Sequence, residues 1–325
     1  MTVSKAAVSE RSILDRATRN KLAQASPLLR RWYAPETLEM LYRNDLKPNV
    51  ERVFSDEMAQ QFHHYCPISD ATDEDFKNGW LELPELGHSL IGIRFRGLDL
   101  NRPFVELVVS DELLPETMNT AAIKEAVGAV YELFQPKHLR FFLPSNWQGD
   151  VESWQGAYWE KRYLAAPVSE MRSLSKPKNV ERLRLHKPSD MAFYEPYTDL
   201  YERRFEAQPS LREYSRIEDE GDMAHYLEEG TLFELYVDDA WAGVIVVTRA
   251  EEQGMKGFLV VDILLEPHFS GQGLGVAAQY RLANTLETKD GDVLFGTIDS
   301  RNVSAIKTAE RSGGADVGGF LWLPL

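Results

Sequence analysis

The sequence predicts an α+β chain in which helices layer both faces of a mixed sheet. Three observations carry that expectation. Residues 261–280 read as a strand, a glycine-rich turn and a helix with no spacer between them. From residue 180 onward the segments run strand, two helices, three antiparallel strands, helix, strand, helix, strand. Part of that order already occurs upstream, between residues 60 and 175. With 325 residues the chain is long enough for two domains, because single cores stop growing near about 250 residues.

Residues 1–60 read as a helical N-terminal extension, with breaks expected at Ala34-Pro35 and Lys47-Pro48. Residues 61–175 form the first α+β block. Ser89–Arg96 and Arg102–Ser110 alternate as strands about the turn Gly97-Leu98-Asp99. A helix is expected near Glu116–Phe134, with Ile123, Val127, Val130 and Phe134 on one stripe. Leu139–Pro144 reads as a strand, Tyr158-Trp159-Glu160-Lys161 as part of a helix, and Ala165–Leu174 as another strand. Lys176-Pro177-Lys178-Asn179, residues 176–179, is polar and contains proline, as a linker would.

Residues 180–325 form the second block. Val180–Leu185 alternates as a strand, Lys187-Pro188-Ser189-Asp190 turns and caps a helix, and that helix runs to about Phe205. A polar connection and a short helix ending near Glu229-Gly230 come next. Leu232–Val237 and Trp241–Thr248 are strands joined at Asp238-Asp239, and Gly257–Leu265 follows a second turn. Val293–Ser300 reads as a strand, residues 302–311 as a helix, and Val317–Leu323 as the last strand.

The unit at 261–280 is the most informative stretch. Gly271, Gly273 and Gly275 sit between an apolar strand ending at Pro267 and a helix patterned by Leu274, Ala278, Leu282 and Leu286. Such a turn aims bare backbone N–H groups and a positive helix end at one point, where an anion, most often a phosphate, belongs. The spacing is not G-x-G-x-x-G, and no Lys-Ser or Lys-Thr follows, so dinucleotide and P-loop readings both fail.

Leu264-Leu265-Glu266-Pro267 leading into Ser270-Gly271-Gln272-Gly273-Leu274-Gly275 resembles the acyl-CoA loop of the GNAT N-acetyltransferases, usually [RQ]-x-x-G-x-[GA] opening a helix. Asn302 and Ala305 match that family's Asn-x-x-Ala. Two positions depart from it. Ser270 stands where the family has Arg or Gln, with Gln272 two residues on as a partial substitute. Ala309 stands where a tyrosine usually protonates the leaving thiolate. Tyr158–Lys161 is similar to the helix end before the family's last strand, so the resemblance extends to residues 61–175 as a degenerate second copy. Its counterpart loop, Val109–Pro115, has no glycine and two acids, and is not expected to hold a pyrophosphate.

The resemblance implies acetyl-CoA as co-substrate. It is bound by Ile263, Leu264 and Leu265 on a splayed strand, by Ser270, Gly271, Gln272, Gly273, Leu274, Gly275 and Val276 in the loop, and by Asn302, which alternatively only caps a helix. It also implies direct transfer of an acetyl group to a primary amine of a small molecule. The N–H of Leu265 would hold the oxyanion. Asp262, Glu266 or Asp299 would take the proton, and Ser304 or Tyr280 would stand in for the missing tyrosine. The connection Phe205–Asp222, with Glu213, Glu218, Asp219, Glu220 and Asp222, would cover the acceptor. Two alternatives stay open: a catalytically inactive acyl-CoA-binding sensor, and an aminoacyl transferase on a duplicated GNAT fold.

Composition bounds the partners. The net charge of −15 repels nucleic acid and suits a cationic acceptor. No run of 18 apolar residues spans a membrane, the N-terminus lacks a signal-like apolar stretch, and a single cysteine excludes an internal disulfide, which together suggest a cytoplasmic protein. Neighbouring His63, His64 and Cys66 do not predict a metal site, because adjacent histidines point apart.

Overall fold

A computed structural model describes residues 9–113 and 120–325. In chain order the elements are α1 (Glu10–Ala23), α2 (Pro27–Trp32), α3 (Pro35–Phe54), α4 (Asp56–Tyr65), β1 (Gly79–Leu83), β2 (Gly87–Phe95), β3 (Pro103–Ser110), α5 (Thr120–Val130), β4 (His138–Pro144) and β5 (Tyr158–Pro167). They continue with α6 (Val168–Ser173), β6 (Leu183–His186), α7 (Tyr194–Ala207), α8 (Glu220–Glu228), β7 (Leu232–Val237), β8 (Ala240–Glu252), β9 (Met255–Leu265), α9 (Leu274–Thr285), β10 (Val293–Asp299), α10 (Val303–Arg311) and β11 (Ala315–Pro324). The class is α+β with a mixed sheet, as the sequence predicts. Leu114, Pro115 and the start of the helix expected from Glu116 lie outside the described residues.

The chain divides into two compact units. Unit 1 is Met1–Arg162 with Glu251–Met255 and Val317–Leu325; unit 2 is Tyr163–Ala250 with Lys256–Asp316. Residues 176–179 therefore fall inside unit 2.

In unit 1 the strands run β1-β2-β3-β4-β11, then β5. β1, β2 and β3 are antiparallel. β4 pairs parallel to β3 over Val105↔Leu139 to Leu107↔Phe141, and antiparallel to β11 over Gly318↔Pro144 to Pro324↔His138. One face buries Ile91, Ile93, Val105, Phe141 and Leu321 against Ile123 and Val127 of α5. The other face packs Leu90 and Val109 against Ile13, Leu14, Ala17, Leu46 and Val50 of α1 and α3. The N-terminal helices are thus one layer of this unit, which corrects the reading of residues 1–60 as a separate extension. Nor does Lys47-Pro48 break the pattern: α3 runs through Pro48. That proline is exposed, so the carbonyl it leaves without a donor, on exposed Asn44, is open to water.

Two further expectations fail in unit 1. Tyr158–Lys161 opens strand β5, with one 3₁₀ turn (Val151–Ser153) upstream of it, and residues 168–173 are helix α6, so no strand reaches Leu174. β-Branched and aromatic content does not separate a short buried strand from a helix end. Here Glu160, Leu164 and Ala166 are buried on a strand period and Glu160 pairs with Arg140 at 3.0 Å, which fixes the strand. β1 was not foreseen because Gly79-Trp80-Leu81-Glu82-Leu83 is too short to show a period.

In unit 2 the strands run β5-β10-β9-β8-β7-β6. Val180–Arg182 is a 3₁₀ turn, so the first strand starts at Leu183 rather than at Val180. Asp238 and Asp239 both hold positive φ (49° and 68°), which is the two-residue hairpin turn that matches strand twist. Phe233, Leu235, Ile245 and Val247 pack with Leu274, Ala278 and Leu282 of α9 on one face. Tyr197, Leu200, Tyr201 and Phe205 of α7 pack with Val244, Val246 and Leu264 on the other. Among the described residues no helix is long and apolar enough to cross a membrane.

The membership of β11 is testable. A chain ending at Asp316 removes buried Val317, Leu321, Trp322 and Leu323 from unit 1 and bares one edge of β4. Hydrogen exchange should then quicken across residues 138–144 while β7 and β8 keep their protection; the reverse pattern would place β11 with unit 2.

Candidate active site

The site is built where β9 ends. β10 pairs parallel to β9 from Val293↔Gly257 to Gly296↔Val260, and both strands continue past the last pair, to Leu265 and Asp299. β9 stays bound to β8 on its other edge. A Cβ on Gly243 of β8 would sit 1.9 Å from the Leu264 carbonyl oxygen, and the Glu266 N–H donates to the Ala242 carbonyl at 2.8 Å. Backbone groups of successive strand residues point to opposite edges. Leu264 and Glu266 therefore face β8, and the N–H of Leu265 faces the open edge. That is where the Leu265 N–H would have to lie to meet a carbonyl arriving in place of β10. The same geometry corrects the expected place of Leu264, whose backbone is turned to β8 and whose side chain is buried beside α7. Ile263 shares the open edge with Leu265.

The loop follows directly. Gly271 and Gly273 hold φ of 74° and 75°, and a Cβ on either would meet nothing within 4 Å. Their hydrogens thus face open space at backbone angles that L side chains seldom adopt. Gly273 is the N-cap of α9 and no side chain caps that helix. The first intrahelical bond near this end is Ala277 N–H to the Gly273 carbonyl, so the N–H groups of Leu274, Gly275 and Val276 have no partner within the helix. The acceptors of Gln272, in contrast, are engaged. The Gln272 carbonyl accepts from Asn179 Nδ2 at 2.9 Å and the Gln272 side-chain oxygen from Arg182 at 3.1 Å, while its amide nitrogen donates to the His268 carbonyl at 2.9 Å. Gln272 is therefore a brace of the loop, not a replacement for the cation missing at exposed Ser270. Asn179 and Arg182 are its supports, and no local motif in the sequence marks either one.

Gly275 has a packing role. A Cβ there would meet Thr308 Cγ2 of α10 at 2.9 Å, so this glycine lets α9 and α10 close on each other. Leu274 buries its side chain among Phe258, Phe269 and Ala278 and offers only its N–H. Val276 is half-buried one residue further on.

Asp262 lies on the α7 side of β9. The two-residue period slips here: Val261 packs with the α7 cluster, and Asp262 accepts from the hydroxyls of Tyr197 (3.1 Å) and Tyr201 (2.9 Å). Two successive residues on one face are the mark of a bulge, which re-aims a side chain beside a site. Burial pushes the Asp262 carboxyl up to about 6, although both tyrosines favour its charged form. The tyrosine hydroxyls are in turn pushed above their ordinary range by burial and then by the Asp262 charge, so both remain donors.

The other proton-handling candidates are placed elsewhere. Arg301 holds Asp299 in a fork, at 2.9 and 3.1 Å, and also binds Glu213 at 2.6 Å. A carboxylate held this way is a poor base, which removes Asp299 from that role. Glu266 is bound by Arg203 at 2.7 Å. Ser304 is exposed in the first turn of α10, and Asn302 caps that helix, its side-chain oxygen accepting from the Ala305 N–H at 3.1 Å. Tyr280 lies half-buried in the second turn of α9. Ala309 is buried against the chain at Gly314 and offers no proton. In the acidic connection, Glu213 pairs with Arg301 and Glu218 with Arg216 at 3.5 Å, and Asp219 caps α8. Glu220 and Asp222 stay exposed at the start of α8.

No protein-family model and no curated protein matches the chain. Solved structures do. A GCN5-related N-acetyltransferase from Sphaerobacter thermophilus is similar over 73% of this chain and 77% of its own, at 10% identity and a TM-score of 0.49. An acetyltransferase of the GNAT family from Colwellia psychrerythraea covers 83% and 96%, at 11% identity and 0.44. An aminoglycoside acetyltransferase from an uncultured soil metagenomic sample, in complex with sisomicin, covers 41% and 88%, at 15% identity and 0.31. Each likeness is one of shape at low identity, and the roles given above rest on this chain's own geometry.

Among the described residues no group of three His, Cys, Asp or Glu side chains is placed to hold a metal ion. His63 instead pairs with Asp73 at 2.8 Å and stacks on Phe76, while Cys66 is buried.

The packing role of Gly275 predicts a rescue. Gly275→Ala should cost about 1–3 kcal/mol by overpacking. Thr308→Ser deletes the Cγ2 in the way and keeps the hydroxyl bonded to the Ser304 carbonyl, so the double variant should recover most of the loss in a denaturant melt. An unrescued double variant would show that Gly275 is needed for its backbone alone.

Proposed function

We propose that unit 2 is an acyl-CoA-dependent N-acyltransferase that passes an acetyl group from acetyl-CoA to a primary amine of a small molecule. One observation carries the reading: β9 parts from β10 after Val260, leaving the Leu265 N–H at an open edge ahead of the glycine loop and an uncapped helix N-terminus. The pyrophosphate would lie on the N–H groups of residues 271–276, where the helix dipole favours negative charge. The pantetheine amides would pair with Ile263 and Leu265 in place of β10. The thioester carbonyl would then reach the Leu265 N–H.

The chemistry is direct. The neutral amine nitrogen attacks the carbonyl carbon, and the oxyanion that forms is held by the Leu265 N–H. The nitrogen's proton passes to Asp262, directly or across the hydroxyls of Tyr197 and Tyr201. The C–S bond breaks as the carbonyl re-forms, and CoA leaves as its thiolate, whose pKa near about 8.5 for a free thiol lets it depart without a strong acid. Asp262 returns its proton to solvent. Buried Ala309 fits this acid-free departure. It equally favours a second reading, in which unit 2 binds acyl-CoA without turnover. We also propose that unit 1 is a second copy of the same plan. Three antiparallel strands precede β4, which is parallel to β3, and both strands continue past their last pair, Leu107↔Phe141.

If the loop binds acetyl-CoA, ligand at about a hundred times its Kd should raise Tm by about 5–10 °C. Gly273→Glu should abolish the shift, by filling the open space and adding a charge of the wrong sign. No shift in the wild type would end both readings, whereas a shift without thiol release across an amine panel would leave the binding module.

The base assignment carries its own pH dependence. Asp262 must be ionised to accept a proton, so kcat/KM should be full well above pH 6 and fall tenfold per unit as pH drops through about 6. Asp262→Asn should lower kcat by about a hundredfold or more and remove that limb. An unchanged profile in the variant would assign the base elsewhere.

A further inference from the structure

Unit 1 contains a partly open pocket that has no part in the proposed transfer. It has a volume of about 50 Å3 and is lined by Lys21, Asp45, Asn49, Glu106, Phe142 and Gln253, among others. A smaller space of about 10 Å3 shares Lys21 and Phe142 with it. The lining comes from the covering layer of this unit. The buried stripe of α1 runs Ile13, Leu14, Ala17, Thr18 and ends on Lys21. On α3, Asp45 and Asn49 fall among the buried residues Leu41, Tyr42, Leu46 and Val50. A lysine at the end of a helix's inward stripe is costly unless something meets its charge.

Nothing in the chain meets it fully. Lys21 is 8% exposed. Its ammonium sits 4.9 Å above the Phe142 ring and makes no hydrogen bond or ion pair among the described residues. Glu106, the carboxylate that could have served, is spent on Arg140 at 3.1 Å and Arg94 at 3.3 Å. Asp45 spends one oxygen on the Gln253 N–H at 3.1 Å. The side-chain oxygen of Gln253 is buried without a partner. The space is therefore bounded by an ammonium and a carboxylate that attract each other without a hydrogen bond, and by one amide oxygen that lacks a donor. Burial works against both charges, lowering the Lys21 ammonium and raising the Asp45 carboxyl to about 6.

We infer that this space is a binding site for a small zwitterion, an α-amino acid of the size of glycine or alanine. Its carboxylate would sit on Lys21, and its ammonium would sit on Asp45 and the Gln253 side-chain oxygen. The size agrees: at about 10–15 Å3 per water-sized group, about 50 Å3 takes about four such groups, near the five heavy atoms of glycine. A simple anion would satisfy Lys21 and be repelled by Asp45, and a simple amine would do the reverse. Water would satisfy hydrogen bonds without supplying either charge. The inference does not depend on acyl transfer in unit 2.

The test is calorimetric titration of the whole chain with glycine, alanine, acetate and methylamine. Glycine or alanine should bind at millimolar concentration or tighter, at least about tenfold better than acetate or methylamine, since each of the latter loses one charge-assisted contact. Lys21→Met, which keeps length and removes charge, should weaken glycine binding by a similar factor, while Asp262→Asn should leave it unchanged. Crystals of the wild type soaked in glycine should show one amino acid between Lys21 and Gln253, which decides the matter even if Lys21→Met fails to fold. The inference is overturned if no zwitterion binds, if acetate binds as well as glycine, if a folded Lys21→Met chain retains affinity, or if the soaked space holds water alone.

Discussion

The parting of β9 from β10 governs the second unit. Beyond Val260 and Gly296 the two strands no longer satisfy each other, and a strand edge left open is normally a liability. Two features keep that edge open. Gly243 lets β8 close on the Leu264 carbonyl, so β9 is anchored on the far side and does not swing back to β10. The bulge at Val261 and Asp262 then turns a carboxyl to the α7 face while the backbone of Leu265 stays on the open side. The Leu265 N–H and the Asp262 carboxyl, which the proposed transfer uses as oxyanion donor and base, thus lie on opposite sides of one strand.

Asp262 shows what this arrangement costs. Its carboxyl titrates at about 6 in the fold against 3.8 ordinarily. A raised carboxyl lends the folded state stability that is complete below the ordinary value and is lost as pH rises through the folded one. Near neutrality the ionised group is therefore a net burden on unit 2, eased by the hydroxyls of Tyr197 and Tyr201. Asp292, in the same unit, has its burial offset by an arginine, Arg249, at 2.9 Å. Among the described residues no cation is bound to Asp262, whereas Arg301 forks onto Asp299.

The readable part of the sequence was local. Gly271 and Gly273, Pro267 ahead of them, and the apolar stripe of α9 lie within a few residues of one another, and spacing alone tells their story. What was not readable depends on distant partners. Arg182 and Asn179 brace the loop from about ninety positions away, and Arg301 neutralises Glu213 and Asp299 from the next loop. Of the acids in the 205–222 connection, Glu213 is neutralised from 88 positions away, which no local pattern shows. The helices of residues 10–54 looked separate for the same reason: their stripe shows that they are covered, not by what. Tyr158–Lys161 failed differently, since its residues suit either element and the ion pair of Glu160 with Arg140 decides it.

The two units treat the turn after their parted strands in opposite ways. In unit 2 the turn is glycine, Gln272 is tied to the chain and the N–H groups at the start of α9 have no helical partner. In unit 1 the turn after β3 opens on Asp111, whose carboxylate is filled by the chain itself: Arg16 at 2.8 Å, Asn20 at 2.9 Å and the His88 N–H at 2.9 Å. Two acids in this turn suggested repulsion of a pyrophosphate, but Asp111 is neutralised. Its carboxylate draws α1 onto the sheet through Arg16 and Asn20. That same docking brings Lys21, one turn further along α1, over Phe142. The docking that fills the Asp111 carboxylate is thereby what buries the Lys21 ammonium.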